Sequence, residues 1–235
     1  MHGEILRNNN CLHCTDCTEK DSFMNLLTRE ELKILNRNRY SVRFKPNELI
    51  LKQGLPATHV ISLIHGIAKM YIEGIQDKNL LFRLAGSWQL INVGNASTRE
   101  FNQFSITALT EVQVCFIESS SFQRVLESNG KFACEVIKHR NQHTICIFKK
   151  LISLTQKHMT ARMADGLLYL ADDFYRSTNF EMSLSRQDLA DLTGMSKDSA
   201  IRILKEFEKD HVISLHGKKL DILNKEILLE LSASG

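Results

Sequence analysis

Two short amphipathic helical patterns meet at a single glycine near the C-terminal end of the chain, and few folds accommodate that arrangement. Over residues 186–205, Leu189 and Leu192 fall on one face of the first pattern, and Ala190 is small where a second helix must cross closely. Ser185 precedes the pattern with Asp188 three residues on, the spacing of a capping box. Gly194 stands where the turn needs a positive φ that a Cβ would oppose. Met195 is placed to plug the angle, and Ser196 to cap the second helix. Ala200, Ile203, Leu204 and Phe207 then make one buried face, while Asp198, Arg202, Lys205 and Lys209 recur on the opposite one. A plain helical hairpin with a solvated charged face does not require all these positions in register. The pattern predicts a helix-turn-helix.

The charged face suits a duplex. A reading helix buries one side and offers hydrogen-bonding side chains to base edges from the other. Lys197, Asp198 and Arg202 lie in the N-terminal half, which enters the major groove, with Ser196, Ser199 and Lys205 beside them. Arg202 can fork onto a guanine and Asp198 can accept from a cytosine amino group. Ser185, Arg186 and Gln187 stand where the first helix meets the backbone, so phosphate contacts are expected of them. Two short apolar runs, 212–214 and 220–223, flank His216, Gly217, Lys218 and Lys219, which predicts a hairpin wing. The net charge of +3 alone marks no nucleic-acid binder, but groove binders concentrate basic residues on one face.

Glycine and proline punctuate the N-terminal half. Pro46 and Pro56, with Gly54, Gly66, Gly74, Gly86 and Gly94, separate short apolar runs at 49–51, 60–64, 67–72 and 80–84, followed by 104–109 and 112–117. In the last run Val112, Val114 and Phe116 share a strand face, against Gln113 and Cys115 on the other. Short strands at this spacing predict an antiparallel barrel or roll. From 130 to 156 there is one glycine, at the start, and no proline, which reads as one helix of about seven turns. Ile145, Phe148, Ile152, Thr155 and Met159 recur along it at helical spacing, either as a core-facing stripe or as a seam with a second copy. Thr160 is expected to cap the next helix, with Ala164, Leu167, Leu168, Ala171, Phe174 and Tyr175 on one face.

With 43 % hydrophobic and 24 % charged residues the chain can bury a core and stay soluble. No stretch approaches the roughly 18–20 apolar residues that cross a bilayer, and MHGEILRNNNC carries no apolar signal region. A cytoplasmic protein without a membrane partner is expected. In that compartment the six cysteines are free, metal-bound or reactive rather than disulfide-bonded.

The motifs, in their order, resemble the CRP/FNR family of bacterial transcription regulators over nearly the whole length. LSRQDLA at 184–190 and TGMSKDSAIRILK at 193–205 look like the family's DNA-reading segment. FKPNE at 44–48, KQG at 52–54 and IHGIAKMY at 64–71 are similar to the opening strands of its sensory roll. The resemblance implies an α+β fold: an N-terminal cysteine segment and cyclic-nucleotide-binding-type β-roll over 1–129, a dimerisation helix over 130–158, and a winged helix-turn-helix domain over 159–235. It implies a homodimer on double-stranded DNA, reading a pseudo-palindromic operator with half-sites roughly 34 Å apart, with RNA polymerase as a further partner. It implies no enzyme.

The chain departs from the family in places. Cyclic-AMP binders hold the phosphate with a Gly-Glu pair and an Arg-Ser pair. The stretch 86–104 contains no Gly-Glu, and Arg99 is followed by Glu100. A buried phosphate without an arginine partner is costly, so no cyclic-AMP response is expected. Lys197 and Asp198 stand where relatives commonly carry arginine and glutamate. Lysine cannot fork and aspartate reaches less far, so the relatives' operator does not carry over.

Cys11, Cys14 and Cys17 form a C-x2-C-x2-C run. Three thiolates at this spacing can grip one corner of an iron–sulfur cluster that takes a fourth ligand elsewhere. The bacterial ferredoxin pattern fails at Asp21, and c-type haem attachment fails because threonine follows both Cys14 and Cys17. The family's oxygen-sensing branch has N-terminal cysteines and one near the end of the roll, which Cys115 resembles. Its third N-terminal ligand falls near the position of Phe23, so Cys11 would take that place. Three readings stand: a [4Fe–4S] cluster on Cys11, Cys14, Cys17 and Cys115, zinc on the same set, or free thiols. Cys134 and Cys146 are expected to be small core residues. His139 and His143 have ligand spacing but read as a solvated face, and His59 and His65 flank a strand without a paired-histidine motif. No nucleophile–base arrangement is found. Two rival readings stand: an effector-binding regulator with no cluster, whose roll takes a small molecule beside Trp88, and a roll-domain enzyme or small-molecule binder with an appended helical interaction module.

Overall fold

A computed structural model describes residues 4–6, 22–94 and 101–234. The described residues fall into two compact units, one within Met1–Met70 and Leu84–Thr144, the other within Tyr71–Arg83 and Ile145–Gly235.

The roll is built from strands β1 (Glu4–Leu6), β2 (Tyr40–Phe44), β3 (Leu49–Leu51), β4 (His59–His65), β5 (Ala68–Ile72), β6 (Leu80–Ala85), β7 (Gln89–Ile91), β8 (Ser105–Ala108) and β9 (Val112–Glu118). They make two sheets, ordered β1-β2-β9-β4-β7 and β3-β8-β5-β6. Strand β9 pairs antiparallel with both β2 and β4, so it is central and buried on both faces. Val112, Val114 and Phe116 fill one face, as their alternation predicts. On the other face Cys115 and Ile117 join a core with Leu32 and Leu35 of helix α1 (Arg29–Asn36) and Phe122 and Val125 of α2 (Ser119–Ser128). Period-two alternation cannot reveal a helical cover on the second face.

Helix α3 spans Gly130–Gln156 without interruption. Helix α4 (Met159–Leu168) follows, with His158 as its extended N-cap. Thr160, the expected cap, is the second residue inside the helix, where its own backbone is already helical. Past Leu168 the chain widens into a π-helical stretch, Tyr169–Tyr175, closed by Arg176 in the left-handed region (φ 53). Tyr175 stacks on Phe180 with ring centroids 4.4 Å apart.

The C-terminal helices and strands are β10 (Asn179–Glu181), α5 (Arg186–Thr193), α6 (Lys197–Lys209), β11 (Ile213–His216), β12 (Lys219–Ile222) and α7 (Lys225–Ala233). Strands β11 and β12 form the expected wing hairpin, and β10 pairs with the other edge of β12. Leu167, Leu189, Ile203, Leu204, Phe207, Leu220 and Leu228 fill the core between them. Gly166 lets α4 approach α5: a Cβ there would lie 2.7 Å from Thr193 Cγ2.

Candidate nucleic-acid interface

The turn between α5 and α6 is held by local chemistry at both ends. Ser185 Oγ accepts from the Asp188 backbone N–H at 3.1 Å, and Asp188 Oδ2 accepts from the Ser185 N–H at 2.9 Å, completing a capping box. Gly194 ends α5 in the left-handed region, φ 63 and ψ 43. Ser196 caps α6 by accepting from the Ser199 N–H at 3.2 Å.

Helix α6 has two opposed faces. Ala200, Ile203, Leu204 and Phe207 are buried, while Lys197, Asp198, Arg202, Lys205 and Lys209 are exposed. Ser196 is exposed and Ser199 half-buried beside them. These residues share one outward surface, as their spacing requires. Arg202 is not free on it: its Nη1 donates to Glu206 Oε1 at 2.7 Å. Glu206 was missed in the sequence, although its i,i+4 offset from Arg202 is the spacing of a helical ion pair. At the start of α5, Ser185 and Gln187 are exposed and Arg186 is half-buried. Ser185 Oγ also donates to Asp188 Oδ2 at 2.6 Å, and Gln187 Nε2 to Asp191 Oδ1 at 2.8 Å. Lys218 and Lys219 stand exposed at the wing tip around Gly217, whose φ is 64.

Two family models match the chain: a Crp-like helix-turn-helix domain over residues 161–231 and a cyclic nucleotide-binding domain over residues 41–129. The chain belongs to the CRP/FNR family of transcription regulators. It is 22 % identical over 231 residues to the transcriptional activator protein anr of Pseudomonas aeruginosa, covering 94 % of this chain and 92 % of that one. It is 21 % identical over 182 residues to the cAMP-activated global transcriptional regulator CRP of Salmonella typhimurium, covering 76 % of this chain and 87 % of the other. In fold it is similar to FixK2 from Bradyrhizobium japonicum, with TM-score 0.76 and 15 % identity, over 84 % of this chain and 98 % of that one.

In this regulator Cys115 is 3 % exposed, and its Sγ accepts from Arg39 Nη1 at 3.3 Å. Cys11, Cys14 and Cys17 lie outside the described residues, as do Arg99 and Glu100. Among the described residues, no group of three or more His, Cys, Asp or Glu side chains is placed to hold a metal. Cys134 and Cys146 are exposed on α3, not core residues as expected: Cys134 faces away from the side of the helix that carries Phe132 and Val136, and Cys146 lies beyond the stretch of α3 that those residues bury. His139 and His143 meet edge to face, ring centroids 4.2 Å apart. Trp88 has φ 66, and its N–H donates to the Leu63 carbonyl at 2.6 Å.

Sequence reasoning also missed two cations behind the turn. Lys150 Nζ, on α3, donates to the Leu192 carbonyl. Arg162 Nη1, on α4, donates to the Gly194 carbonyl at 2.9 Å. Burial pushes the Lys150 pKa down to about 8, with Arg162 adding to the fall and Asp165 opposing it. Their partners are backbone carbonyls 42 and 32 residues away, which leave no mark in a sequence pattern.

Proposed function

We propose that this regulator acts as a homodimer that reads a pseudo-palindromic operator through paired α6 helices, under control of a signal received in the roll. The observation that carries this reading is the exposed row of Lys197, Asp198, Arg202 and Lys205 above a fully buried apolar face. Dimerisation is supported by α3: Ile145, Phe148, Leu151 and Ile152 are each at least half exposed, Phe148 by 59 %. Such a stripe is solvated in one chain and is suited to a second copy. Change in the pairing of two α3 helices then alters the spacing of the reading helices. A signal does this only through unequal affinity for the two arrangements.

For the signal, the thiols favour a [4Fe–4S] cluster on Cys11, Cys14, Cys17 and Cys115. The backbone pairing of Leu6 with Ser41, and of Ser41 with Cys115, puts Leu6 and Cys115 in one row across the sheet, two strands or about 10 Å apart. Met24, just after the cysteine run, packs in the same core cluster as Cys115. The five residues from Leu6 to Cys11 can span about 17 Å, more than the distance from Leu6 to the fourth thiol's strand, which supports this reading. Four thiolates fit such a cluster. Bound there, it supplies one-electron redox chemistry and lability to oxygen, while this chain contributes the ligands and the Arg39 guanidinium beside Cys115.

The test combines selection and spectroscopy. Anaerobically purified protein is expected to show broad visible absorption that bleaches in air, with iron and sulfide by elemental analysis. It is expected to enrich a two-fold symmetric site from random duplexes, and to give no heat with cyclic AMP in titration calorimetry. Colourless anaerobic protein without iron ends the cluster reading, and zinc found in its place assigns the thiols to that metal. Enrichment of no sequence ends the operator reading.

A further inference from the structure

Three side chains from outside the helix-turn-helix converge on its turn. Lys150 and Leu154 lie four residues apart on one face of α3, and Arg162 projects from α4. Lys150 donates to the Leu192 carbonyl and Arg162 to the Gly194 carbonyl. Leu154 Cδ2 lies where a Cβ on Gly194 would come within 2.3 Å. The last carbonyls of a helix have no intrahelical partner and carry the negative end of its dipole, so two cations are the complementary groups. The same end of α3 is bonded to α4 and α7: Asp165 accepts from Ser153 Oγ at 2.5 Å, from Lys157 Nζ at 2.9 Å and from Ser232 Oγ at 2.6 Å. The last turns of α3 therefore belong mechanically to the helices that carry the reading surface.

We infer that Lys150 and Arg162 are positioning residues for DNA reading, a two-cation clamp that fixes the α5–α6 turn to the end of α3 so that a displacement of α3 is delivered to α6. Neither side chain lies on the outward face of α6, so neither needs to touch a base. The clamp acts through the two carbonyls, and α6 starts three residues after the second of them. Its strength depends on the charge of Lys150, whose pKa of about 8 puts neutralisation just above physiological pH. The charged groups facing it are Asp165 and Arg162 on α4, while α5 presents the Leu192 carbonyl.

The inference rests on the DNA-reading role of α6 and is tested on the full-length protein. The probes are a duplex enriched by the wild-type protein from a random pool and a random-sequence duplex of equal length. Lys150→Met is expected to lower affinity for the enriched duplex by about tenfold, the scale of one charged hydrogen bond, and to narrow its advantage over the random one. Lys150→Arg restores that advantage. Wild-type affinity for the enriched duplex falls as pH rises through about 8, and that fall is absent in Lys150→Met and Lys150→Arg. Hydrogen exchange at the backbone amides of 194–197 accelerates in Lys150→Met and in Arg162→Met, and this readout needs no DNA. Wild-type discrimination with unchanged exchange in both variants overturns the clamp. Equal loss on the two duplexes with lowered melting also overturns it, since that is the signature of a fold defect. If the wild type enriches nothing while exchange still responds, the clamp stands and the operator reading fails.

Discussion

Arg202 Nη1 and Glu206 Oε1 are 2.7 Å apart on the exposed face of α6, so the side chain best shaped to fork onto a guanine already has an acidic partner one turn away. Both side chains are about half exposed, which keeps such a pair weak and readily exchanged for a base edge. Arg202→Ala is expected to cost roughly 1–3 kcal/mol of specific affinity and to relax preference at one base pair. Glu206→Gln is expected to raise affinity a few-fold by releasing Arg202 and removing a charge that repels phosphate. Gel-shift titrations on enriched and random duplexes check both. Equal losses on the two for Arg202→Ala contradict its role as a base reader.

Arg186 opens α5, where a phosphate contact carries no sequence information. Arg186→Ala is expected to weaken all duplexes alike and to reduce the slope of log K against log salt by about one. A change confined to one sequence removes it from the backbone contacts.

Gly194 has two reasons to be glycine. Its φ of 63 is strained for any residue with a Cβ, and that Cβ would meet Leu154 Cδ2 at 2.3 Å. Gly194→Ala is expected to destabilise by at least about 1–2 kcal/mol from the backbone alone. Leu154→Ala in the same chain is expected to recover the clash portion, read as a coupling energy in a double-mutant cycle of urea midpoints. Strict additivity shows that Leu154 does not press on the turn.

Phe148, 59 % exposed on α3, is the residue at which the proposed dimer is tested. Phe148→Glu is expected to convert a dimer into a folded monomer by sedimentation, with unchanged helical circular dichroism and weakened operator binding. A wild-type monomer at micromolar concentration, or a variant that stays dimeric, assigns the stripe another role.

Lys150 makes stability depend on pH in a defined window. Its pKa is about 8 in the folded protein against 10.5 ordinarily, so the unfolded chain binds more protons between those values. Stability therefore rises with pH from about 8 towards 10.5, by up to roughly 3 kcal/mol, and the burial cost is felt in full below about 8. Urea midpoints across this range check it, and Lys150→Met is expected to flatten the rise. A rise of equal size in the variant assigns it to other groups.

What was readable in the residues was local. Ser185 with Asp188, Gly194, Ser196 and the buried row from Ala200 to Phe207 each act within a few positions of themselves. The helix of Gly130–Gln156 and the wing hairpin around Gly217 were legible for the same reason: their caps, turns and periodicities are sequence-neighbour effects. Tertiary structure decided the rest. It covered the strand face of Cys115 with helices, and left Cys134 and Cys146 exposed on a helix. It moved the N-cap of α4 from Thr160 to His158 and brought Lys150 and Arg162 to carbonyls 42 and 32 residues away. A strand or helix pattern states which face is apolar, but what covers that face, and which distant backbone group a long cation reaches, depends on packing between segments that no local spacing encodes.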